Sequence, residues 1–283
     1  MIRRQDFFVL LLYYMGFSGC RNLILRLQHK PVTRFLALHD ILPEAFFNFK
    51  TNMYFLKKNT NVVSIEDFFS GRLSSEKINV VITFDDGYKS WLSYAIPVLK
   101  DLGLPATFFV TSGFVGLSKE NESGFLRSKL FMSLGPRRIT GGLTGEGVRR
   151  IVEEGFIIGG HTVNHCNLGR LKDGGQIRYE IGEDKTKLEK ITGVKIEYFA
   201  YPSGAYYNPD IDLVEALKES GYKGAVTAEP GFNSAGTSPY LLHRELTGAA
   251  MPIRVFRARV YGNYDGVLFM KRLTSGKYPR LFA

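Results

Sequence analysis

The chain has 283 residues, 45% of them hydrophobic and 23% charged, with 30 glycines and 11 prolines. That balance excludes a globally disordered or collagen-like chain and suits one large α/β domain or two small ones. Lys and Arg number 37 against 27 Asp and Glu, a net charge of +10, which points to an anionic neighbour: a membrane face, nucleic acid or an acidic glycan.

Residues 1–34 differ from the rest. Arg3 and Arg4 precede an apolar run from Phe7 to Phe17, short of the ~20 residues a membrane-crossing helix needs. Leu10, Tyr14, Phe17, Leu23, Leu25 and Leu27 interleave with Arg21, Arg26 and Lys30, as in a helix lying on a membrane surface. A basic start with a short apolar run also suits a secretory signal, and FSGC would then act as a lipobox ending at Cys20. A helix packed on the domain is the third reading. Because basic residues continue past the apolar run, the interfacial helix is preferred, and membrane association on an undetermined side is expected. The two cysteines, Cys20 and Cys166, form neither a CxxC nor a disulfide framework.

From Arg34 onward strands and helices alternate. RFLALHDI (34–41) reads as a strand, and Val80-Val81-Ile82-Thr83-Phe84 as a buried one ending on the pair Asp85-Asp86 before Gly87. Trp91, Ala95, Val98, Leu99 and Leu102 then recur at helical spacing, with Gly103 as the stop. ATFFVTS (106–112) is the third strand. Residues 113–143, with GPRR and TGGLTG, break the rhythm and predict a long insertion over one rim. A short helix over 145–155 leads into the strand FIIGG, which delivers HTVNH. Residues 176–193 place Ile177, Ile181, Leu188 and Ile191 on one stripe closed by Gly193, predicting one helix. EYFAYPSG (197–204) ends a strand, PDIDLVEALKESGY predicts a helix, and KGAVTA a strand. This alternation predicts a βα barrel or a doubly wound sheet.

Two like charges closing a buried strand each raise the cost of ionising the other. His161 and His165 supply a reason to accept it. At i, i+4, a helical turn would aim both imidazoles one way, as a divalent metal requires, and a carboxylate from another strand end would complete the ligand set. One aspartate then holds the metal, whose charge relieves the repulsion, and the other serves as a base beside it. Taken alone, DDG reads first as a helix cap or turn, and HxxxH first as ordinary surface or core histidines. Together they point to a metal.

TFDDG, HTVNH and YPSG, in that order, resemble the polysaccharide deacetylases, the family-4 carbohydrate esterases that share the NodB-homology domain. LALHDI resembles the opening strand of the exopolysaccharide branch. The resemblance covers roughly residues 35–250 and takes in ATFFV, KLEKITG and GYKGAVTAEPGFN. It implies a distorted (β/α) barrel of about seven strands as the catalytic domain, residues 35–262, followed by a tail, 263–283. It also implies a metal-dependent deacetylase that hydrolyses the N-acetyl group of amino sugars, in a surface polysaccharide or lipid-linked glycan precursor, with metal-activated water as nucleophile.

On this resemblance Asp86, His161 and His165 hold one divalent ion, usually zinc, and Asp85 is the base. Tyr201, Pro202, Ser203 and Gly204 line the substrate groove and offer a backbone N–H to the oxyanion. The arginine that orients the base in many members has no counterpart in the third motif, where Ala200 and Tyr201 stand. His243 in YLLHREL occupies a suitable late position for the general acid; the alternatives are a rim histidine, or an arginine at this place as in the exopolysaccharide branch, which Arg244 matches. His39, at the end of the first strand, is read as a structural hydrogen-bonding residue near the metal. Tyr198, Tyr201, Tyr206 and Tyr207 offer rings for sugar faces. A deacylase or deformylase acting on another amide or an O-acyl ester, or a catalytically silent carbohydrate-binding protein using the same cleft, are the competing readings. Nucleic acid is not expected as a partner, since no basic-aromatic motif accompanies the charge.

Overall fold

The computed structural model describes residues 30–126, Ser128 and 139–265, together with Leu10, Leu11 and 13–16. Cys20, most of the 1–34 segment, the GPRR stretch and the tail beyond Asp265 lie outside the described residues.

Eight strands occur among the described residues: β1 Thr33–Leu38, β2 Asn61–Val62, β3 Asn79–Asp86, β4 Thr107–Val110, β5 Ile157–Gly160, β6 Tyr198–Ala200, β7 Gly224–Val226 and β8 Arg244–Leu246. Hydrogen-bonded neighbours run β7-β6-β5-β4-β3-β1-β8, with β2 beside β3. The pairings are parallel. A parallel bridge from Val226 to Leu242, just ahead of β8, brings the two ends of this order together. Seven strands thus make a nearly closed barrel wrapped by helices. Closure decides between the two architectures that alternation alone allows.

Strand parity sorts the core into two layers. Leu36, Val80, Ile82, Phe84, Phe108 and Ile158 pack outward against the helices. Phe35, Val81, Phe109, Tyr198, Ala200 and Val226 form a separate inner cluster. A short helix, Ile65–Phe69, closes the end of the barrel where the strands begin. Its Phe68 meets Phe35 edge-on at 5.0 Å, and Phe69 stacks on Tyr198 at 5.3 Å. The opposite end, where the strands finish, is left for chemistry.

Both helices expected around residues 91–102 and 176–193 form, each with a π-turn inside it. The first begins as a π-turn, Trp91–Ala95, and continues as Ile96–Leu102 to Gly103 at φ 59°. The second runs from Gly174–Arg178 through a π-turn, Tyr179–Glu183, into Asp184–Thr192, and stops at Gly193. Such turns inside helices gather at functional sites. Of the insertion, Lys119–Phe125 is helical. Residues 139–143 fold back on the loop after the aspartate pair: Leu143 N–H donates to the Gly87 carbonyl, and Lys89 N–H to the Gly141 carbonyl. Residues 139–143 of the insertion therefore sit at the site rim.

Arg34 ties Asp265, the last of the described residues, to β1, donating two hydrogen bonds to it at 3.1 and 2.6 Å. At the N-terminus, Leu10 and Tyr13 pack on Ala258 and Tyr264, while Leu11, Tyr14 and Met15 are exposed. No helix among the described residues is long and apolar enough to cross a membrane.

Candidate functional site

β3 runs two residues further than its apolar stretch, so both aspartates belong to it. Asp85 follows Val81 and Thr83 in the inward row. Asp86 leaves the pattern, because a φ of 90° turns it away. Its Oδ1 lies 3.4 Å from His161 Nε2 and 3.3 Å from His165 Nε2. The ligand atoms of the three residues fall within 4.8 Å of one another.

The two imidazoles converge by a different route from the helical turn that their spacing suggests. Residues 161–165 are not helical. Thr162 at φ 65° and His165 at φ 51° fold the loop back on itself. Ser203, in the third motif, has φ 55°. Among the described residues, Asp86, Thr162, His165 and Ser203 are the non-glycine residues at positive φ, and all of them stand at the strand end or in the loops of this site. Each such residue costs on the order of 1–3 kcal/mol and persists only where its surroundings enforce it. The strain is concentrated where the ligands are.

The trio fits a divalent cation. Asp86 Oδ1 is buried and has no hydrogen-bond partner. His161 Nδ1 sits 2.7 Å from the Ala200 carbonyl, a bond only an N–H can make, so the neutral ring turns a bare Nε2 lone pair toward Asp86. Two imidazoles and a carboxylate oxygen make a donor set suited to zinc and similar ions, and the Ala200 contact is the outer partner that fixes ring orientation.

Two buried acids brace the histidine loop, and sequence reasoning passed over both. Asp184 accepts N–H bonds from His161 and Ser112, each at 2.9 Å. Glu180 accepts from Asn164 N–H at 2.9 Å and from its Nδ2 at 2.7 Å. The π-turn between these acids lets both reach the same loop. A Cβ on Gly160 would stand 2.8 Å from Asp184 Oδ2, so the second glycine of FIIGG is required for Asp184 to seat. The signal available beforehand was two acids, four apart, alongside the buried stripe of Ile177 and Ile181.

Asp85 is clamped by a residue from the far end of the chain. Arg244 Nη1 donates to Asp85 Oδ1 at 2.6 Å and to Thr83 Oγ1 at 3.1 Å, and Nε donates to the Thr227 carbonyl at 2.6 Å. Burial raises the pKa of Asp85; Arg244, His161 and His39 together bring it below the ordinary 3.8, so the group is ionised at neutral pH. The missing third-motif arginine is replaced in space by β8.

His243 is not brought to the site, a correction to its expected role as general acid. Arg244 pairs with Phe35 while Leu38 pairs with Phe84. His243 is therefore level with Arg34, and Asp85 with His39. The pairing sets His243 nearer the start of the barrel strands than Asp85. Parity also turns His243 away from the inward-facing Arg244. Its backbone N–H and carbonyl bond the Asn233 side chain at 2.8 and 2.9 Å, and its ring packs over Gly231. His39, by contrast, is exposed beside Asp85, and its carbonyl accepts the Trp91 Nε1 hydrogen bond at 3.0 Å.

Tyr201 is likewise corrected as a groove residue. It is 1% exposed, its ring against Phe199 and Tyr206, and its N–H donates to the Val226 carbonyl at 3.1 Å. Pro202 is buried and Ser203 exposed. Pro202 has no N–H and Gly204 donates its own to the Tyr201 carbonyl, so Ser203 is the backbone donor left in this triple. Tyr198 lies inside the barrel. Tyr206 and Tyr207 reach a cavity of ≈ 410 Å³, whose other lining is Asn167, Gly169, Arg170, Gly204 and Ala205.

A family model described as polysaccharide deacetylase matches residues 73–225. The chain belongs to the polysaccharide deacetylase family. The matched span holds Asp85, Asp86, His161, His165 and the third motif, whereas β1 with His39 and β8 with Arg244 lie outside it. This member of the family is similar to YxkH of Bacillus subtilis (strain 168), whose name places it in the same family, with 29% identity over 186 residues, 66% of this chain and 57% of the relative. It is 24% identical over 166 residues to the peptidoglycan-N-acetylmuramic acid deacetylase PdaA of the same organism, 58% of this chain and 51% of that protein. The chain spans about half the length of these curated relatives. Among solved structures, IcaB from Ammonifex degensii matches with a TM-score of 0.65 and 23% identity over 82% of this chain and 97% of that one. Streptococcus pyogenes PplD matches at 0.63 and 22%, over 82% and 98%. These likenesses are of fold.

Proposed function

We propose that the protein removes N-acetyl groups from amino sugars in a surface polysaccharide or a lipid-linked glycan precursor, using one divalent ion, zinc by preference, held by Asp86, His161 and His165. The observation that carries this reading is the meeting of those three ligand atoms beside an ionised, arginine-clamped Asp85. A cation there supplies Lewis acidity, lowering the pKa of water to about 7 and polarising the acyl oxygen. Asp85 has Oδ1 engaged by Arg244 and offers Oδ2 to accept the proton of the attacking water. Ser203 N–H is the donor for the charge developing on the acyl oxygen. His39, level with Asp85 and open to solvent, takes the role of proton donor to the departing amine in place of His243. The proposal extends to membrane association: Leu11, Tyr14 and Met15 are exposed on the N-terminal piece, apolar groups of the kind an interfacial segment buries.

Acetate release from a panel of N-acetylglucosamine oligomers and lipid-linked sugars tests the reading. Release is expected from at least one substrate, to be lost on chelation and to return with added divalent ion. Turnover confined to formyl or O-acyl substrates would favour the other hydrolase reading. Sugar binding without any release would favour a silent binder.

Arg244 acts here as a positioning residue. Arg244→Gln is expected to cost about 3–5 kcal/mol of stability, as for breaking a buried ion pair, and to raise the acid limb of kcat/KM toward the ordinary carboxylate value. Melting curves and a pH–rate profile check both. An acid limb that stays put would show that Arg244 does not tune Asp85.

A further inference from the structure

The cavity lies between the loop that follows His165 and the loop that follows Ser203. We infer that it is a subsite for a second sugar residue bearing an anionic group, with Arg170 as the charge partner; this rests on the deacetylase reading of the adjoining site.

Its volume of ≈ 410 Å³ falls within the roughly 300–1,000 Å³ of small-ligand sites. Asn167 follows His165 by two residues and Gly204 follows Ser203 directly, so the cavity is built from the two loops that carry a metal ligand and the oxyanion donor. The walls are shaped by two glycines. A Cβ on Gly169 would collide with the Tyr207 carbonyl, and one on Gly204 would stand 2.6 Å from Ala228 Cβ. Tyr207 is 72% exposed, a flat apolar face held open for the C–H side of a sugar ring. Tyr206 is fixed in place by its hydroxyl, which donates to Glu229 Oε1 at 2.9 Å.

Arg170 gives the cavity its selectivity. Arg34, Arg72, Arg150, Arg178, Arg244 and Arg259 pair with carboxylates, whereas Arg149, Arg170, Arg254 and Arg257 form no ion pair among the described residues, and of these Arg170 is the one that lines the cavity. Arg170 makes no ion pair or side-chain hydrogen bond among the described residues, yet it lines the cavity and is exposed. An unengaged guanidinium fork matches a carboxylate or phosphate through two parallel bonds. A neutral sugar would leave that fork unused. The net charge of +10 draws the same class of glycan toward the surface.

Three oligomers of equal length decide the matter: neutral N-acetylglucosamine, alternating N-acetylglucosamine and glucuronic acid, and N-acetylglucosamine carrying a phosphate ester. Their affinities for the metal-loaded full-length Asp85→Asn chain are measured by calorimetry, and KM ratios are taken on the wild type in parallel. One anionic oligomer is expected to bind about tenfold tighter than the neutral one, with the preference fading as salt rises. Which of the two it is identifies the anion. Arg170→Gln, at an exposed position, is expected to remove that preference. Equal affinities, or a preference that survives Arg170→Gln, would overturn the inference. Acetate release from the neutral oligomer reports on the deacetylase reading by itself. Release without an Arg170-dependent preference sinks only the subsite, and Arg170-dependent binding without release sinks only the deacetylase.

Discussion

Asp85→Asn is expected to lower acetate release by about 10²–10⁴-fold, the range general-base catalysis contributes, while bound divalent ion stays at the wild-type level. The amide keeps the shape of the carboxylate and can still accept from Arg244, but it has no basic oxygen for the proton of water. Metal is retained because Asp86, not Asp85, faces His161 and His165. The substitution also leaves a buried guanidinium without its counter-charge, so the melting temperature falls at neutral pH. The sign follows from the depressed pKa of Asp85. Its ionic contribution is present above the unfolded value of about 3.9 and is lost as pH drops through the folded one. The stability gap between variant and wild type should therefore close in acid. Metal analysis, acetate release and melts at two pH values check all three points. Loss of metal from this variant would mean that the two aspartates have exchanged roles.

His161→Ala is expected to abolish acetate release and metal binding together. The variant loses a ligand atom and, with it, the Nδ1 bond to Ala200 that orients the ring. Its metal affinity should fall by more than the roughly 100-fold that loss of an outer partner costs. Zinc should raise the melting temperature of the wild type, because it binds the folded state, and should not move that of the variant. Full metal stoichiometry in His161→Ala would place the cation elsewhere and remove the basis of the proposed function. The two variants thus separate the base from the ligand: one loses turnover with its metal in place, the other loses both.

The aspartate pair and the histidine pair are legible in the sequence for a local reason. Each is a short motif at the end of an apolar run, and a strand end can be read from the run that precedes it. The i, i+4 spacing correctly marked two imidazoles facing one point, although a left-handed turn at Thr162 and His165 brings this about instead of a helical one. Glu180 and Asp184 were harder. Their role depends on a π-turn that shifts the phase of the helix, and 3.6-residue periodicity carries no sign of it. Tyr201 looked like a groove residue because it opens YPSG, yet its ring is part of the core.

The order of the motifs, the alternation of strands and helices, and the strand ends that bear ionisable groups were determined by the primary sequence alone. Whether His243 or Arg244 serves the site was decided only by the tertiary structure. Parity turns one of two adjacent residues into the barrel, and the pairing of β8 with β1 sets how far along the axis it stands. That pairing joins Arg244 to an aspartate 159 residues away. Register over such a distance is fixed by closure of the barrel, and no local stretch of sequence encodes it.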